Sequence, residues 1–270
     1  MLFVRDKGRM CNNILQYGHV YAWACEHGRR SVSMRFAYKY PYFHINHTAW
    51  HNALVYVLAK GAAKLGLLPV ASFSNADGNA RAQQLMDSRR WLVVEGWYVR
   101  YYDLFLKYKR NILQLFAFDK AIEDHTQAVI GAEAGKDEIL LGVHVRRGDY
   151  RTWQGGRYYF TDDVYIDYIR RFAATHEGKI HVFVCGNDPA LDRQKYVESL
   201  PGIGVSFPAG NPGQDLCLLS HCHYLIGAPS TFSLVASMYH DAPLCWMKAP
   251  LADGGRLEFH SFEHLFRHII

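Results

Sequence analysis

The run Gly142-Val143-His144-Val145-Arg146-Arg147-Gly148-Asp149-Tyr150 joins an apolar stretch to two arginines, a glycine and an aspartate. A strand ending this way delivers charge where open α/β sheets bind ligands, beyond the strand C-termini. Arginine stays charged at any working pH, and its planar fork fits phosphate oxygens. When a sugar leaves a nucleotide diphosphate, negative charge builds on the diphosphate, and an arginine stabilises it in place of a metal. Gly148 allows a tight turn. Asp149 serves the chemistry, or it pins the loop through a salt bridge to an arginine.

Other segments carry weaker signals. Gly8-Arg9-Met10-Cys11-Asn12-Asn13 follows the first apolar run, and Asp188-Pro189 closes a later one. Ser230-Thr231-Phe232-Ser233 reads as a helix start, where hydroxyls and open backbone N–H groups cradle phosphate or simply cap the helix.

His144-x-Arg146-Arg147-Gly148-Asp149-Tyr150 resembles the signature of the α1,2-fucosyltransferases. It is similar, too, to the equivalent strand of the α1,6- and protein O-fucosyltransferases. The resemblance implies that Arg146 grips the donor's β-phosphate, with His144 and Arg147 lining the same pocket. The Gly8–Asn13 segment resembles the family's first-strand loop, in its Gly-Arg-x-Gly-Asn-Gln form. It implies that Arg9 and Asn12 reach the donor phosphate and the transferred sugar, with Met10 and Asn13 beside them; Cys11 stands where a second glycine is usual. Val94-Glu95-Gly96-Trp97 with Tyr101-Tyr102 is similar to a Glu-Gly-aromatic segment of the α1,2 enzymes, its aromatics read mainly as core and Glu95 as needing a partner. The Asp before Pro implies that Asp188 reads the guanine edge, by accepting from N1 and N2; capping a helix at Pro189 is the plainer reading. The helix opening near Asp215, the strand after it and Ser230–Ser233 complete the family order, implying donor contacts from Ser230, Thr231 and Phe232. Leu234-Val235 replaces the usual Trp-Trp.

Together these imply an inverting transferase moving fucose from GDP-fucose to a glycan hydroxyl, in α1,2 linkage, for surface polysaccharide or oligosaccharide synthesis. No metal or other cofactor is expected. The implied partners are a nucleotide sugar and a glycan acceptor. The implied fold is α/β and GT-B-like: two Rossmann-like lobes with parallel sheets and a cleft between them. A non-catalytic GDP-sugar or glycan-binding module on the same fold is the alternative, as is a transferase for a different nucleotide sugar. The acceptor's base stays open. Gln154 stands where the α1,6 relatives carry a glutamate, and Asp149, Glu95, Asp103 and His19 are candidates; otherwise the diphosphate itself takes the proton late.

These groups need a scaffold, and the chain alternates apolar strand-like runs with helical periodicity. Strands are expected over 2–4, 31–36, 91–95, 139–145, 180–185, 204–207, 224–227 and 244–247. Helices are expected over 14–26 (stopped by Gly28), 51–65 (stopped by Gly66), most of 98–118, and then 163–175, 191–200, 215–220 and 232–239. Leu54, Val57, Leu58, Ala62 and Leu65 share one face of the second helix. The small polar run from Gly131 to Asp137 reads as a linker, dividing the chain into lobes 1–135 and 136–270, the latter binding the nucleotide sugar.

Bulk properties narrow the remainder. Half the residues are hydrophobic, a fifth are charged, and the net charge is +5. No dense Lys/Arg stripe exists, which argues against nucleic acid as partner. The six cysteines form no CxxC pair and lie mostly in apolar runs, pointing to free thiols and a cytoplasmic setting. Residues 1–9 do not read as a signal peptide and no run is long enough to span a membrane. Peripheral contact with the inner membrane face stays open: Leu104 to Phe118 carries Lys107, Lys109 and Arg110, although a core helix with a basic outer face is the favoured reading. His44, His47 and His51 lack a completing carboxylate or thiol for a metal. Cys217, His221, Cys222 and His223 flank a strand entry, where alternate residues face opposite sides. Asp162-Asp163 reads as a helix start rather than a manganese motif. A G-x-G-x-x-G after the first strand is missing, which argues against a dinucleotide oxidoreductase.

Overall fold

The computed structural model describes residues 1–186 and 188–269; Asn187, beside Asp188, lies outside the described residues. The chain forms two compact units, Met1–Asp119 and Lys120–Ile270.

The first unit holds β1 (Leu2–Arg5), α1 (Met10–Glu26), β2 (Ser31–Ser33), α2 (Ala53–Lys64), β3 (Val70–Ser72), α3 (Ala80–Ser88), β4 (Leu92–Glu95), α4 (Tyr102–Lys107) and α5 (Lys109–Leu115). Its strands are all parallel, in the order β2-β1-β4-β3. The second unit runs α6 (Lys120–Glu133), β5 (Ile139–Val145), α7 (Asp162–Ala174), β6 (Ile180–Gly186), α8 (Arg193–Ser199), β7 (Gly204–Ser206), α9 (Pro212–Ser220), β8 (Tyr224–Gly227), α10 (Thr231–His240), β9 (Leu244–Trp246) and α11 (Phe262–Phe266). Its parallel order is β7-β6-β5-β8-β9. A parallel strand between helical layers is buried on both faces, so it must be apolar throughout. Ile-Leu-Leu-Gly-Val-His-Val in β5 meets that demand.

The expected α/β architecture with parallel sheets is present. Several elements differ from the sequence reading. β3 is a three-residue edge strand, too short to stand out as a period, and α3 and α6 were not assigned. The contact boundary precedes the Gly131–Asp137 run by most of α6, which packs on α9; that run ends the helix and turns into β5, Glu138 accepting from the Gly135 amide at 2.8 Å. Helix α1 begins at Met10 rather than Ile14, with Arg9 as N-cap. The 98–118 stretch breaks into α4 and α5 and buries Phe105, Ile112 and Phe116, as a core element would.

Helix α2 turns the other way from what its sequence stripe invites. Val55, Tyr56, Ala59 and Ala63 face inward, against Phe3, Val32, Met34 and Val93. Leu54, Val57, Leu58 and Leu65 stay 68, 60, 63 and 76 % exposed, and Leu67 beyond them 72 %.

The exit of β1 is held by a buried acid. Asp6 is 2 % exposed; its Oδ2 accepts from Ser33 Oγ at 2.5 Å, while its main-chain carbonyl accepts from Arg35 Nη2 at 3.0 Å. Its other carboxyl oxygen is buried without a partner. Burial pushes the carboxyl up to about 8, against the lowering pull of the Ser33 hydroxyl and of Arg35. The fold therefore holds this proton more tightly than the unfolded chain does, so the stability it lends is full below about pH 4 and is lost as the pH rises through 8. Chemical denaturation across that range should show Asp6→Asn losing less stability with rising pH than the parent; equal slopes would remove Asp6 as the cause.

Candidate donor site at the β5 exit

The two arginines after β5 have opposite fates. Arg147 turns inward and is 4 % exposed. Its Nε donates to the Phe160 carbonyl at 2.9 Å, Nη2 to Asp162 at 2.6 Å and Nη1 to Asp188 at 3.4 Å. Burial works against its charge, but the Asp162 carboxylate outweighs it and holds Arg147 above its usual range. Arg146 points away from that cluster and keeps 15 % of its side chain exposed. Its backbone N–H donates to the Tyr165 hydroxyl at 3.1 Å, and its guanidinium lies 5.2 Å over the Tyr150 ring. One Nη2 contacts both Asp149 oxygens, at 2.8 and 2.9 Å, and that carboxylate is about half exposed. The salt bridge expected of Asp149 is thus made by Arg146, while Arg147 pins the loop through Asp162 and Asp188 instead.

The backbone makes this divergence by a sharp turn. Arg147 has φ −123° and ψ −124°, and Gly148 follows at φ +52°, a conformation that favours glycine. A 3₁₀ turn over Gly148–Arg151 brings in Tyr150, whose hydroxyl donates to the Pro229 carbonyl. The arginine loop is thereby tied to the segment leading into α10.

Ser230 caps α10, its Oγ accepting from the Ser233 amide at 3.3 Å. The same Oγ lies 3.3 Å from His144 Nδ1, and the His144 ring stacks on Phe232 with centroids 4.7 Å apart. His144 is 7 % exposed; burial first, and then the Arg146 charge, depress it to about 3. It is a neutral stacking and hydrogen-bonding group. Arg146, His144, Ser230, Thr231 and Phe232 therefore gather where β5 and β8 end and α10 begins.

Asp188 is already engaged. One oxygen accepts from Arg147 and the other from the Ala190 amide at 3.0 Å. The helix cap expected of it belongs instead to Asp192, which accepts from Lys195 N, because α8 starts only at Arg193. Asp215 escaped selection as a site residue. It sits in the first turn of α9, which opens with an Asn211 capping box and Pro212 at its start. Burial pushes Asp215 up to about 6, and its charge is felt by Cys185 at the end of β6. In sequence it marks the helix opening of the family order, and an acid in a helix's first turn has an ordinary dipole explanation.

In the first unit, Arg9 and Asn12 lie on the open side of the α1 start, with Arg9 exposed, whereas Met10 and Asn13 are buried in the core. A Cβ at Gly8, where φ is +91°, would come 2.6 Å from Asn12 Nδ2. Among the candidate bases, His19 is buried, accepts from the Tyr101 amide at 3.0 Å, and is depressed to about 3 by burial. Glu95 has the partner expected of it, accepting from Arg5 Nε at 2.7 Å. Asp103 is exposed, and Gln154 lies at φ +48° in an exposed turn. His51 is committed to Ser33 N and Thr48 Oγ1, and His47 to Asp119.

No family model matches the chain. Mouse galactoside 2-alpha-L-fucosyltransferase Sec1 is 24% identical over 258 residues, covering 88% of this chain and 64% of the relative. Mouse galactoside alpha-(1,2)-fucosyltransferase 2 is 25% identical over 258 residues, covering 87% and 67%. The chain thus spans less than two thirds of the length of Sec1. Among solved structures, an Arabidopsis thaliana FUT1 mutant in complex with GDP superposes with a TM-score of 0.61 at 14% identity, over 96% of this chain and 73% of that one. The α1,6-fucosyltransferase NodZ, soaked with GDP-fucose, gives 0.57 at 15% identity, over 96% and 98%. POFUT1 in complex with GDP gives 0.55 at 13% identity, over 89% and 94%. The chain therefore has the parallel-sheet α/β fold of the solved fucosyltransferases. In sequence it is similar, at 24–25% identity, to these mouse α1,2-fucosyltransferases.

The twin arginines should separate cleanly by stability. Arg147→Ala strands two largely buried carboxylates and should cost about 3–5 kcal/mol; Arg146→Ala, which frees a carboxylate that is already half exposed, should cost about 1 kcal/mol. Urea unfolding measures both, and similar losses would contradict the division of roles.

Proposed function

We propose that the chain is a fucosyltransferase that takes fucose from GDP-fucose and places it on a glycan hydroxyl, in α1,2 linkage and with inversion. One observation carries the reading: an outward arginine at the end of β5 stands with the N-terminus of α10 in a chain similar to α1,2-fucosyltransferases. The glycan belongs to a surface polysaccharide or oligosaccharide.

In this mechanism the acceptor oxygen attacks the anomeric carbon as the bond to the β-phosphate oxygen breaks, and GDP departs with the bonding electrons. Arg146 stabilises the charge growing on that phosphate, and the partial positive charge at the N-terminus of α10 adds to it without reorganising. Asp149 holds the cation in place until the diphosphate competes for it. His144 stays neutral and props Phe232. The parts of Arg9 and Asn12 rest on the motif resemblance. Arg147 acts by positioning the loop. The acceptor proton passes to a base near the hydroxyl or, late in the reaction, to the diphosphate. No metal is assigned a role in transfer.

For the base, Asp215 is the stronger candidate for reading guanine, since Asp188 has both oxygens engaged. A carboxylate raised by burial gains from two aligned N–H donors, which guanine supplies and adenine does not. GDP should raise the melting temperature more than ADP, UDP or CMP, and Asp215→Asn should erase that preference more than Asp188→Asn. Arg146→Ala should lower transfer from GDP-fucose by a factor of ~100 or more while keeping the fold. Near-normal transfer in that variant, or equal shifts by all the nucleotides, would remove the reading.

Membrane contact, sought at Leu104–Phe118, fits α2 better. Its exposed leucines and Val57 are joined by Trp50, 49 % exposed, and by Lys60 and Lys64. Between Glu26 and Asp77 the sequence has no acidic residue, while Arg29, Arg30, Arg35, Lys39, Lys60 and Lys64 lie there. An apolar face with basic neighbours and no carboxylates suits an anionic lipid surface. The chain should float with phosphatidylglycerol-containing vesicles and not with pure phosphatidylcholine, and Leu54→Ser/Leu58→Ser should abolish flotation. A dimer that the same pair dissolves, with no flotation by the parent, would assign the face to a second copy instead.

A further inference from the structure

Away from the arginine loop, α6 and α9 bring a carboxylate, a thiol and an imidazole together. Glu123 of α6, Cys217 of α9 and His221 at its C-cap each offer a ligand atom, and these atoms all lie within 4.8 Å of one another. The sequence places Cys217 and His221 near a strand entry, where their neighbours alternate faces. Helix α9 runs to Ser220, as expected, with His221 as its C-cap, so the two are four residues apart on one helical face. Glu123 and Thr126, three apart on α6, stand on the other helix, and the Thr126 hydroxyl is buried there without a hydrogen-bond partner.

The hydrogen bonding fixes which nitrogen is exposed to this cluster. His221 Nδ1 lies 2.9 Å from the Cys217 carbonyl, which can only accept, so Nδ1 carries the proton. The lone pair of a neutral ring is then on Nε2, and Nε2 faces Glu123 Oε2 at 3.4 Å. Two acceptors so placed need a positive occupant between them, either a second ring proton or a metal ion. A backbone carbonyl holding the far nitrogen is the usual arrangement around a metal-bound histidine.

We propose that Glu123, Cys217 and His221 bind a divalent cation of the zinc class, tying α6 to α9, with water as the fourth ligand. Bond lengths of about 2.0 Å to nitrogen and oxygen and about 2.3 Å to sulfur set tetrahedral ligand atoms roughly 3.3–3.8 Å apart. The 3.4 Å pair already meets that spacing. Cys217 is fully buried, whereas His221 is 21 % and Glu123 38 % exposed on the side chain, which leaves the ion a path from solvent. Thiolate and imidazole ligands select zinc over magnesium or calcium. The site is separate from sugar transfer: Asp215, two residues before Cys217, lies on the far side of α9 towards β6.

Cobalt titration of the chelator-stripped full chain, without nucleotide, tests this. One equivalent should give the intense visible bands of tetrahedral cobalt and a near-ultraviolet thiolate charge-transfer band, and zinc should bleach both. Cys217→Ala should remove the charge-transfer band, whereas Cys222→Ala and Cys245→Ala should keep it. Zinc should raise the melting temperature of the parent, and Glu123→Gln or His221→Gln, both partly exposed and expected to fold, should lose that rise. No cobalt spectrum in the parent, or a charge-transfer band that survives Cys217→Ala, overturns the site and leaves a histidine–glutamate ion pair.

Discussion

Arg147 enters the second unit with its guanidinium committed to the Phe160 carbonyl and to the Asp162 and Asp188 carboxylates, and the geometry of the β5 exit follows from that commitment. A buried arginine cannot shed its charge, so its partners must be delivered from elsewhere in the fold. Asp162 arrives on the first turn of α7 and Asp188 on the loop after β6. Once Arg147 is fixed inward, the sharp turn at Arg147 and Gly148 carries the Arg146 side chain the other way. Arg146 is outward because Arg147 is inward.

The first unit uses the same device with the opposite charge. β1 and β5 are both interior strands of parallel sheets, and each is left by a loop anchored on a buried ionisable side chain. Asp6 does this for β1 through Ser33 on the adjacent strand. Its acid is raised because burial outweighs the lowering pull of the Ser33 hydroxyl and Arg35, whereas Arg147 keeps its charge because the Asp162 and Asp188 carboxylates meet it. Such groups contribute less to net stability than to fixing a single loop conformation, which is what phosphate recognition at a strand end requires.

Electrostatics around Arg146 then favour an anion. The adjoining imidazole is neutral, the helix N-terminus adds partial positive charge, and the one near carboxylate, Asp149, is half exposed and easily solvated. The same unit keeps its cysteines in the interior, so the Cys217 cluster between α6 and α9 is set apart from the strand ends by the body of the helix.

Local composition determined much of this. The apolar runs marked β1, β4, β5, β6, β8 and β9, since parallel strands buried on both faces cannot hide among polar residues. The double-arginine motif identified the family resemblance and the strand end that carries it. What the sequence could not assign was direction. Arg146 and Arg147 are chemically identical, and only the arrival of Asp162 and Asp188 from distant elements decides which one is buried. Leu54, Val57, Leu58 and Leu65 form as good an apolar stripe as any core helix, yet the sheet took the face with Ala59, whose small side chain permits close approach. Asp188 and Asp215 look alike in sequence, and only packing shows that one is engaged and the other is not. Pattern along a chain reports which residues can share a face. Which face meets the core is settled by the residues that come to lie opposite, and these are far away in sequence.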